Sequence, residues 1–131
     1  MINGYAYITL LVNDQDEAIA FYQEKLGLEV RMDVPFSPEE RWVTVAPVGA
    51  FFPEISLTQA LNTAQRGAVG QQTADTVMLV LTTEDVDSSR AELVAKGVNV
   101  VTEVESVPWG RYFSLKDPYG NLIDVLQPAP R

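Results

Sequence analysis

The pattern of apolar and polar residues along the chain is typical first of a β-strand and then of an α-helix, and this order occurs twice. The apolar run Tyr7–Asp14 ends in polar residues, and Met78–Asp85 repeats it about 70 residues later. A helical pattern follows each run and stops at a glycine, Gly27 in the first half and Gly97 in the second. This matching order predicts one supersecondary unit that is present in two copies.

Further strand patterns complete each half at corresponding positions. Arg41–Val45 corresponds to Arg111–Leu115, and Ile55–Gln59 corresponds to Ile123–Gln127. A strand pattern also follows each glycine, so each half has the order β-α-β-β-β.

The two halves together are predicted to form one domain. A chain of 131 residues is long enough for a single domain with its own core. The repeats span residues 1–59 and 76–131, and residues 60–75, which contain Ala, Gly, Gln and Thr, form the linker. We predict an α+β fold in which two βαβββ modules form paired sheets around a shared cleft.

Local signals support these elements. Asn13 or Asp14 can cap the first helix, and Thr82 or Thr83 can cap the second. The segment Asp117–Asn121 contains Pro, Gly and Asn in an order that is typical of a turn between two strands. We therefore expect a hairpin near the end of the chain.

The composition excludes several kinds of chemistry. The chain has no histidine and no cysteine, so it lacks the common zinc ligands, a thiol nucleophile, a Ser–His–Asp triad and any disulfide. Its net charge of −9 argues against nucleic acid or an anionic membrane as a partner. An acidic surface instead favours neutral or cationic ligands.

The sequence also gives an expectation for location. No apolar run approaches the roughly 18 residues that a membrane span requires. The first residues lack the basic region of a signal peptide, so we expect a cytoplasmic protein with no membrane partner.

Two segments carry a resemblance to a known superfamily. Val12–Gly27, with its Phe-Tyr and Leu-Gly ending, and Phe113–Asp124, with its Asp-Pro-Tyr-Gly-Asn turn, resemble the vicinal oxygen chelate superfamily. That superfamily includes glyoxalase I, bleomycin resistance proteins and extradiol dioxygenases. The resemblance covers nearly the whole chain and implies the fold predicted above, but the fold hosts many activities.

The resemblance also implies where a metal would bind in related enzymes. Four ligands, typically His and Glu, come from four strands, and the matching positions here carry Tyr7, Ser56, Met78 and Asp124. Only Asp124 is a plausible ligand, and a transition metal requires at least three protein ligands. We therefore expect no metal and no other cofactor.

The segment Pro108–Asp124 resembles the metal-free branch, whose members include mitomycin- and bleomycin-type resistance proteins that sequester an antibiotic. Aromatic side chains can provide stacking surfaces in such a site, and polar side chains can orient the ligand. The resemblance and the repeat together give six candidate ligand-binding residues: Tyr7, Trp42, Ser56, Trp109, Arg111 and Asp124.

Each candidate has a structural alternative. Trp109 is either an aromatic platform or packing against a helix, and Trp42 is either a ligand contact or a core residue. Arg111 and its counterpart Arg41 either face the cleft or form surface pairs with Asp or Glu. Period two places Arg111 and Phe113 on one face of their strand but does not say which face lines the cleft.

Three functions remain open at this point. The first is metal-independent binding of a small planar or aromatic molecule, in the manner of antibiotic-sequestering proteins. The second is a lyase or isomerase in which Asp124 moves a proton while Arg111 or Tyr7 stabilises an enolate. The third is a module without a natural small ligand. We expect a homodimer in any case, because such modules leave sheet edges that a second chain commonly covers.

Overall fold

Each half of the chain folds into a βαβββ module around its own sheet. A computed structural model describes residues 1–131 and divides them into an N-terminal unit, Met1–Val69, and a C-terminal unit, Gly70–Arg131. Mixed helices and strands in two sheets confirm the predicted α+β class. No helix in the structure has the length and apolar character that crossing a membrane demands.

The N-terminal unit contains a four-stranded sheet in the order β1-β4-β3-β2. Strands β1 and β4 are parallel, and the other neighbouring pairs are antiparallel. A π-helical segment, Ala20–Lys25, continues the first helix. The remaining elements are β1 (Tyr7–Val12), α1 (Gln15–Ile19), β2 (Glu29–Ser37), β3 (Glu40–Ala46), β4 (Glu54–Gln59) and α2 (Thr63–Ala68).

The C-terminal unit repeats this topology in the order β5-β9-β8-β6. Its second strand is divided into two short pieces, β6 and β7, which both pair with β8. The elements are β5 (Leu79–Thr82), α3 (Val86–Ala95), β6 (Asn99–Val100), β7 (Glu105–Val107), β8 (Gly110–Lys116) and β9 (Leu122–Pro128).

Aspartates cap both helices that cross over the sheets. The Asp14 carboxylate accepts a hydrogen bond from the main-chain N–H of Glu17, as predicted. Asp85 does the same for Ser88, so the expectation of a cap at Thr82 or Thr83 was wrong. Thr82 still belongs to β5, and the Thr83 hydroxyl accepts a hydrogen bond from the N–H of Asp85.

The predicted hairpin joins β8 and β9. Asp117 is buried in the turn, and its Oδ1 atom accepts hydrogen bonds from the main-chain N–H groups of Tyr119 and Asn121. The loop before β5 packs on this turn at Gly70, where a Cβ atom would collide with the carbonyl oxygen of Tyr119. The linker 60–75 is therefore partly helical, in α2, and partly a loop that is fitted to this hairpin.

Each sheet has one face that packs against the crossover helix of its own unit and an opposite face that does not. In the N-terminal unit the buried side chains of Leu10, Val45 and Leu57 share a face, and α1 contacts β4. The opposite face, here named the N-terminal open face, carries four of the alternating side chains: Tyr7, Trp42, Thr44 and Ser56.

The C-terminal sheet has the same arrangement. Phe113 pairs with Val125 on the buried face, where α3 contacts β8 and β9. Ser114 pairs with Asp124 on the opposite face, here named the C-terminal open face. Arg111 lies on the α3 face with Phe113, and therefore on the face opposite Asp124.

Candidate functional site

Aromatic rings are concentrated on the N-terminal open face. Tyr7 on β1 and Trp42 on β3 meet edge to face, with ring centroids 5.1 Å apart and planes at 85°. Phe52, from the β3–β4 connection, contacts Tyr7 at 5.8 Å, and Phe51 contacts Phe52 at 5.0 Å. Tyr7 nevertheless keeps 43% of its surface exposed, so this cluster does not form a closed core.

A cavity of about 180 Å³ lies beside Trp42, wholly within the N-terminal unit. Its apolar wall comes from Trp42, Phe36 and Leu61. The rest of its lining is polar and consists of Glu40, Arg41, Ser56, Thr58 and Gln59. A mainly apolar space with a few convergent polar groups is the usual composition of a small-molecule site.

Ser56 forms part of the polar lining of the cavity. This residue is almost fully buried, and its Oγ lies 2.8 Å from the Thr58 Oγ1, so the two hydroxyls share a hydrogen bond. One hydroxyl of such a pair keeps lone pairs available for a ligand donor.

The cavity lies beside a part of β3 and β4 where the main-chain ladder between the two strands is interrupted. Strands β3 and β4 pair only at Thr44–Ser56 and Val45–Ile55, although both strands continue beyond these positions. The buried Gln15 side chain bridges this interruption. Its Nε2 donates hydrogen bonds to the carbonyl oxygens of Arg41 on β3, at 3.0 Å, and Leu57 on β4, at 2.9 Å.

The C-terminal unit does not have this interruption. The corresponding strands β8 and β9 pair throughout Gly110–Lys116 and Leu122–Pro128. Val86 follows the capping Asp85 as Gln15 follows Asp14, and Val86 has no side-chain donor. Sequence reasoning missed Gln15. The available signal was this replacement of an apolar residue by a polar one at matching positions of the repeat.

The guanidinium of Arg41, beside the cavity, is paired with two carboxylates. Its guanidinium bonds both oxygens of Asp33, at 2.9 and 3.1 Å, and one oxygen of Asp16, at 3.1 Å. The hydrogen bonds that Arg41 donates to Asp33 and then to Asp16 raise the pKa of Arg41 above its ordinary value. Arg41 is therefore permanently charged and already paired.

The C-terminal unit contains the other three candidates. On its open face the Ser114 hydroxyl donates a 2.6 Å hydrogen bond to Oδ1 of the half-buried Asp124. Trp109 lies in the turn between β7 and β8 with 66% of its surface exposed, and its carbonyl accepts a hydrogen bond from Ala129.

Arg111 is paired on the other side of this sheet. Its guanidinium makes two hydrogen bonds to Asp87 of α3, at 2.9 and 3.1 Å. These bonds raise the pKa of Arg111 and lower the pKa of Asp87. Arg111 and Asp124 are thus on opposite faces, and the structure does not bring them together for the enolate chemistry considered above.

The donor set at the superfamily's metal positions does not suit a metal. Tyr7 and Ser56 offer neutral hydroxyls, Met78 offers a thioether, and one oxygen of Asp124 already accepts from Ser114. These four groups match neither the nitrogen and sulfur ligands of zinc nor the several carboxylates that Ca²⁺ or Mg²⁺ requires. No group of three or more carboxylates elsewhere in residues 1–131 is placed to hold a metal ion.

This fold and these segments define a glyoxalase-type protein. The chain belongs to the glyoxalase/bleomycin resistance protein/dioxygenase superfamily, whose sequence profile matches residues 4–125. A protein of Shewanella frigidimarina is 33% identical over 128 residues, which are 97% of this chain and 95% of the relative.

Two solved structures show both sequence and structural similarity. TnmS3, an antibiotic binding protein from Streptomyces sp. CB03234, has 33% identity and a TM-score of 0.81, with 98% of each chain covered. UcmS2 has 30% identity and a TM-score of 0.84, with 96% of this chain and 98% of that chain covered.

Proposed function

We propose that the protein binds a small planar, aromatic molecule without the help of a metal, in the manner of antibiotic-binding proteins. The observation that carries this proposal is the cavity beside the unpaired parts of β3 and β4, with Trp42 and Phe36 in its wall. Phe36 keeps 73% of its surface exposed, which leaves an aromatic ring available to a ligand. The similarity to TnmS3 supports an antibiotic or a related natural product as the ligand.

The size of the cavity limits what it can enclose. A cavity of roughly 150 Å³ lined by apolar side chains takes a benzene molecule. The cavity beside Trp42 has about 180 Å³, which suits one or two fused rings. A larger ligand would place one ring system beside Trp42 and extend along the aromatic cluster of Tyr7 and Phe52.

The proposal also includes two ligand contacts from the C-terminal unit and the formation of a homodimer. We expect Trp109 to offer an exposed ring and Asp124 to offer a hydrogen-bond acceptor to a ligand. We also expect a homodimer. Exposed apolar side chains such as Phe51 and Val48 in the β3–β4 connection would be covered by a second copy.

Calorimetric titration with one uncharged and one positively charged naphthalene tests the proposal. The probes are 1-naphthalenemethanol and 1-naphthylmethylamine. Wild-type protein should bind at least one of them saturably, and Trp42→Ala should weaken that binding by about 1–3 kcal/mol. Trp42→Phe, which keeps a ring, should retain most of the affinity.

Tyr5→Ala provides a matched control because it removes an exposed ring in the same unit, outside the cavity lining. It should leave probe affinity unchanged. The proposal fails if neither probe binds the wild type, or if Trp42→Ala and Tyr5→Ala bind as well as the wild type does.

A further inference from the structure

We propose that the cavity selects planar ligands that carry a positive charge and that Glu40 is the residue that recognises this charge. This inference rests on the proposed function, since it concerns the chemical class of the ligand in the same cavity. Four features carry it: the position of Glu40, its lack of a cationic partner, the pairing of Arg41, and the ring of Trp42.

Glu40 is placed to meet a ligand that contacts Trp42. It is the first residue of β3, so period two puts its side chain on the same face as Trp42, and both residues line the cavity. The residue is half-buried, which reduces the screening of its charge by water.

The Glu40 carboxylate has no cation of its own. The structure gives it one hydrogen bond, a long one of 3.4 Å from the Ser37 hydroxyl, and no salt bridge. Burying a carboxylate without a cationic partner costs free energy. A positively charged ligand that pairs with Glu40 would remove this cost.

The only cationic residue in the lining does not compensate Glu40. Arg41 is bonded to Asp16 and Asp33, so these three groups together carry one negative charge. Three of its N–H groups donate to these carboxylates. The cavity therefore has a net negative environment, in a chain whose net charge is −9.

The indole of Trp42 reinforces the same preference. A cation within about 6 Å of an indole face is attracted by the ring quadrupole, and tryptophan is the strongest of the aromatic residues in this respect. An ammonium group between Glu40 and Trp42 would gain both interactions. An anionic ligand would be repelled by Glu40 and would gain neither.

A series of three naphthalenes that differ mainly in charge tests this inference. The probes are 1-naphthylmethylamine, 1-naphthalenemethanol and 1-naphthoate, titrated into the wild type, Glu40→Gln and Glu39→Gln. Glu39 is the matched control, because it is the adjacent exposed carboxylate in the β2–β3 turn and does not line the cavity. Both variants change the net charge by the same amount.

The wild type should bind the ammonium probe about tenfold more tightly than the alcohol, and the carboxylate probe most weakly. Glu40→Gln should abolish the preference for the ammonium probe while keeping the affinity for the alcohol, and Glu39→Gln should preserve it. Equal binding of all three probes to the wild type, or an unchanged preference in Glu40→Gln, overturns the inference and leaves the proposed function standing. If none of the three probes binds the wild type, the proposed function itself fails.

Discussion

The side-chain nitrogen of Gln15 donates a 2.9 Å hydrogen bond to the carbonyl oxygen of Leu57, on a part of β4 that does not pair with β3. The same nitrogen bonds Arg41 on the facing strand. An amide side chain thus replaces main-chain ladder hydrogen bonds and satisfies both carbonyl groups. The main-chain ladder is therefore interrupted beside Trp42 without leaving these two acceptors unpaired.

Replacing Gln15 by Val, the residue at the matching position of the second repeat, should destabilise the N-terminal unit and weaken probe binding. Two carbonyl oxygens would lose their donor, and a buried polar group without a partner costs about 1–3 kcal/mol. Any closure of the strands to recover ladder bonds would reduce the cavity. Chemical denaturation and titration with 1-naphthylmethylamine measure the two effects.

Gln23→Val is the control for this substitution, because Gln23 is an exposed residue of the π-helical segment that does not line the cavity. It should change stability by only a few tenths of a kcal/mol and leave binding intact. Gln15→Val protein with wild-type stability and wild-type affinity would show that Gln15 does not maintain the cavity.

The sequence was sufficient for the fold because its signals are local. Strand periodicity, the capping Asp14 and the terminal glycines Gly27 and Gly97 each act within a few residues, and their repetition predicted both sheets. The predicted cap at Thr82 or Thr83 was wrong, and Asp85 is the cap. Threonine and aspartate are both common capping residues, so the sequence alone did not distinguish between these neighbouring positions.

The site was less accessible from sequence because its features depend on contacts between distant residues. Gln15 is unremarkable in the first turn of a helix, and its role appears only once the main-chain ladder between β3 and β4 is seen to be interrupted. The strand periodicity predicted that Arg111 and Phe113 share one face of β8, but it did not say which face. The hydrogen bond from Arg111 to Asp87 of α3, which lies 24 residues away in sequence, identifies it as the face that packs against α3. Of the six candidate ligand-binding residues, Trp42 and Ser56 line the cavity.

Asp87 should make stability depend on pH in a defined direction. The hydrogen bond from Arg111 lowers the pKa of Asp87 from its ordinary value of 3.8, so folding is favoured when this carboxylate is ionised. That contribution is present above the ordinary pKa and is lost as the pH falls through the lower pKa of the folded state.

The difference in melting temperature between the wild type and Asp87→Asn should therefore stay constant from about pH 7 to about pH 5 and vanish in stronger acid. It should be small and should decrease with added salt, because the pair is exposed. Asp75→Asn, at an exposed aspartate outside any ion pair, should show no such pattern. A difference that grows as the pH falls would contradict this account.

Trp109→Ala should lower ligand affinity by about 1–3 kcal/mol and leave the fold intact. The ring is mostly exposed in a turn, so its removal creates no core cavity, and far-ultraviolet circular dichroism should be unchanged. Titration with the naphthalene probes measures the affinity. Unchanged affinity would remove Trp109 from the proposed ligand contacts.

The homodimer should be visible by sedimentation velocity at roughly tens of micromolar protein, a range in which micromolar association is detected. Acidic charge does not prevent association when the core of the interface is apolar. A single species with the mass of one 14.5 kDa chain over this range would argue against it.

The position of a bound probe relative to Trp42 tests the central claim most directly. The protein has two tryptophans, so its ¹H–¹⁵N spectrum should contain two indole signals, and Trp109→Phe identifies which belongs to Trp42. On titration with 1-naphthylmethylamine, the Trp42 signal should shift saturably, with the dissociation constant that calorimetry gives. Saturable binding of the probe that leaves the Trp42 indole signal unmoved would contradict binding in the cavity that Trp42 lines.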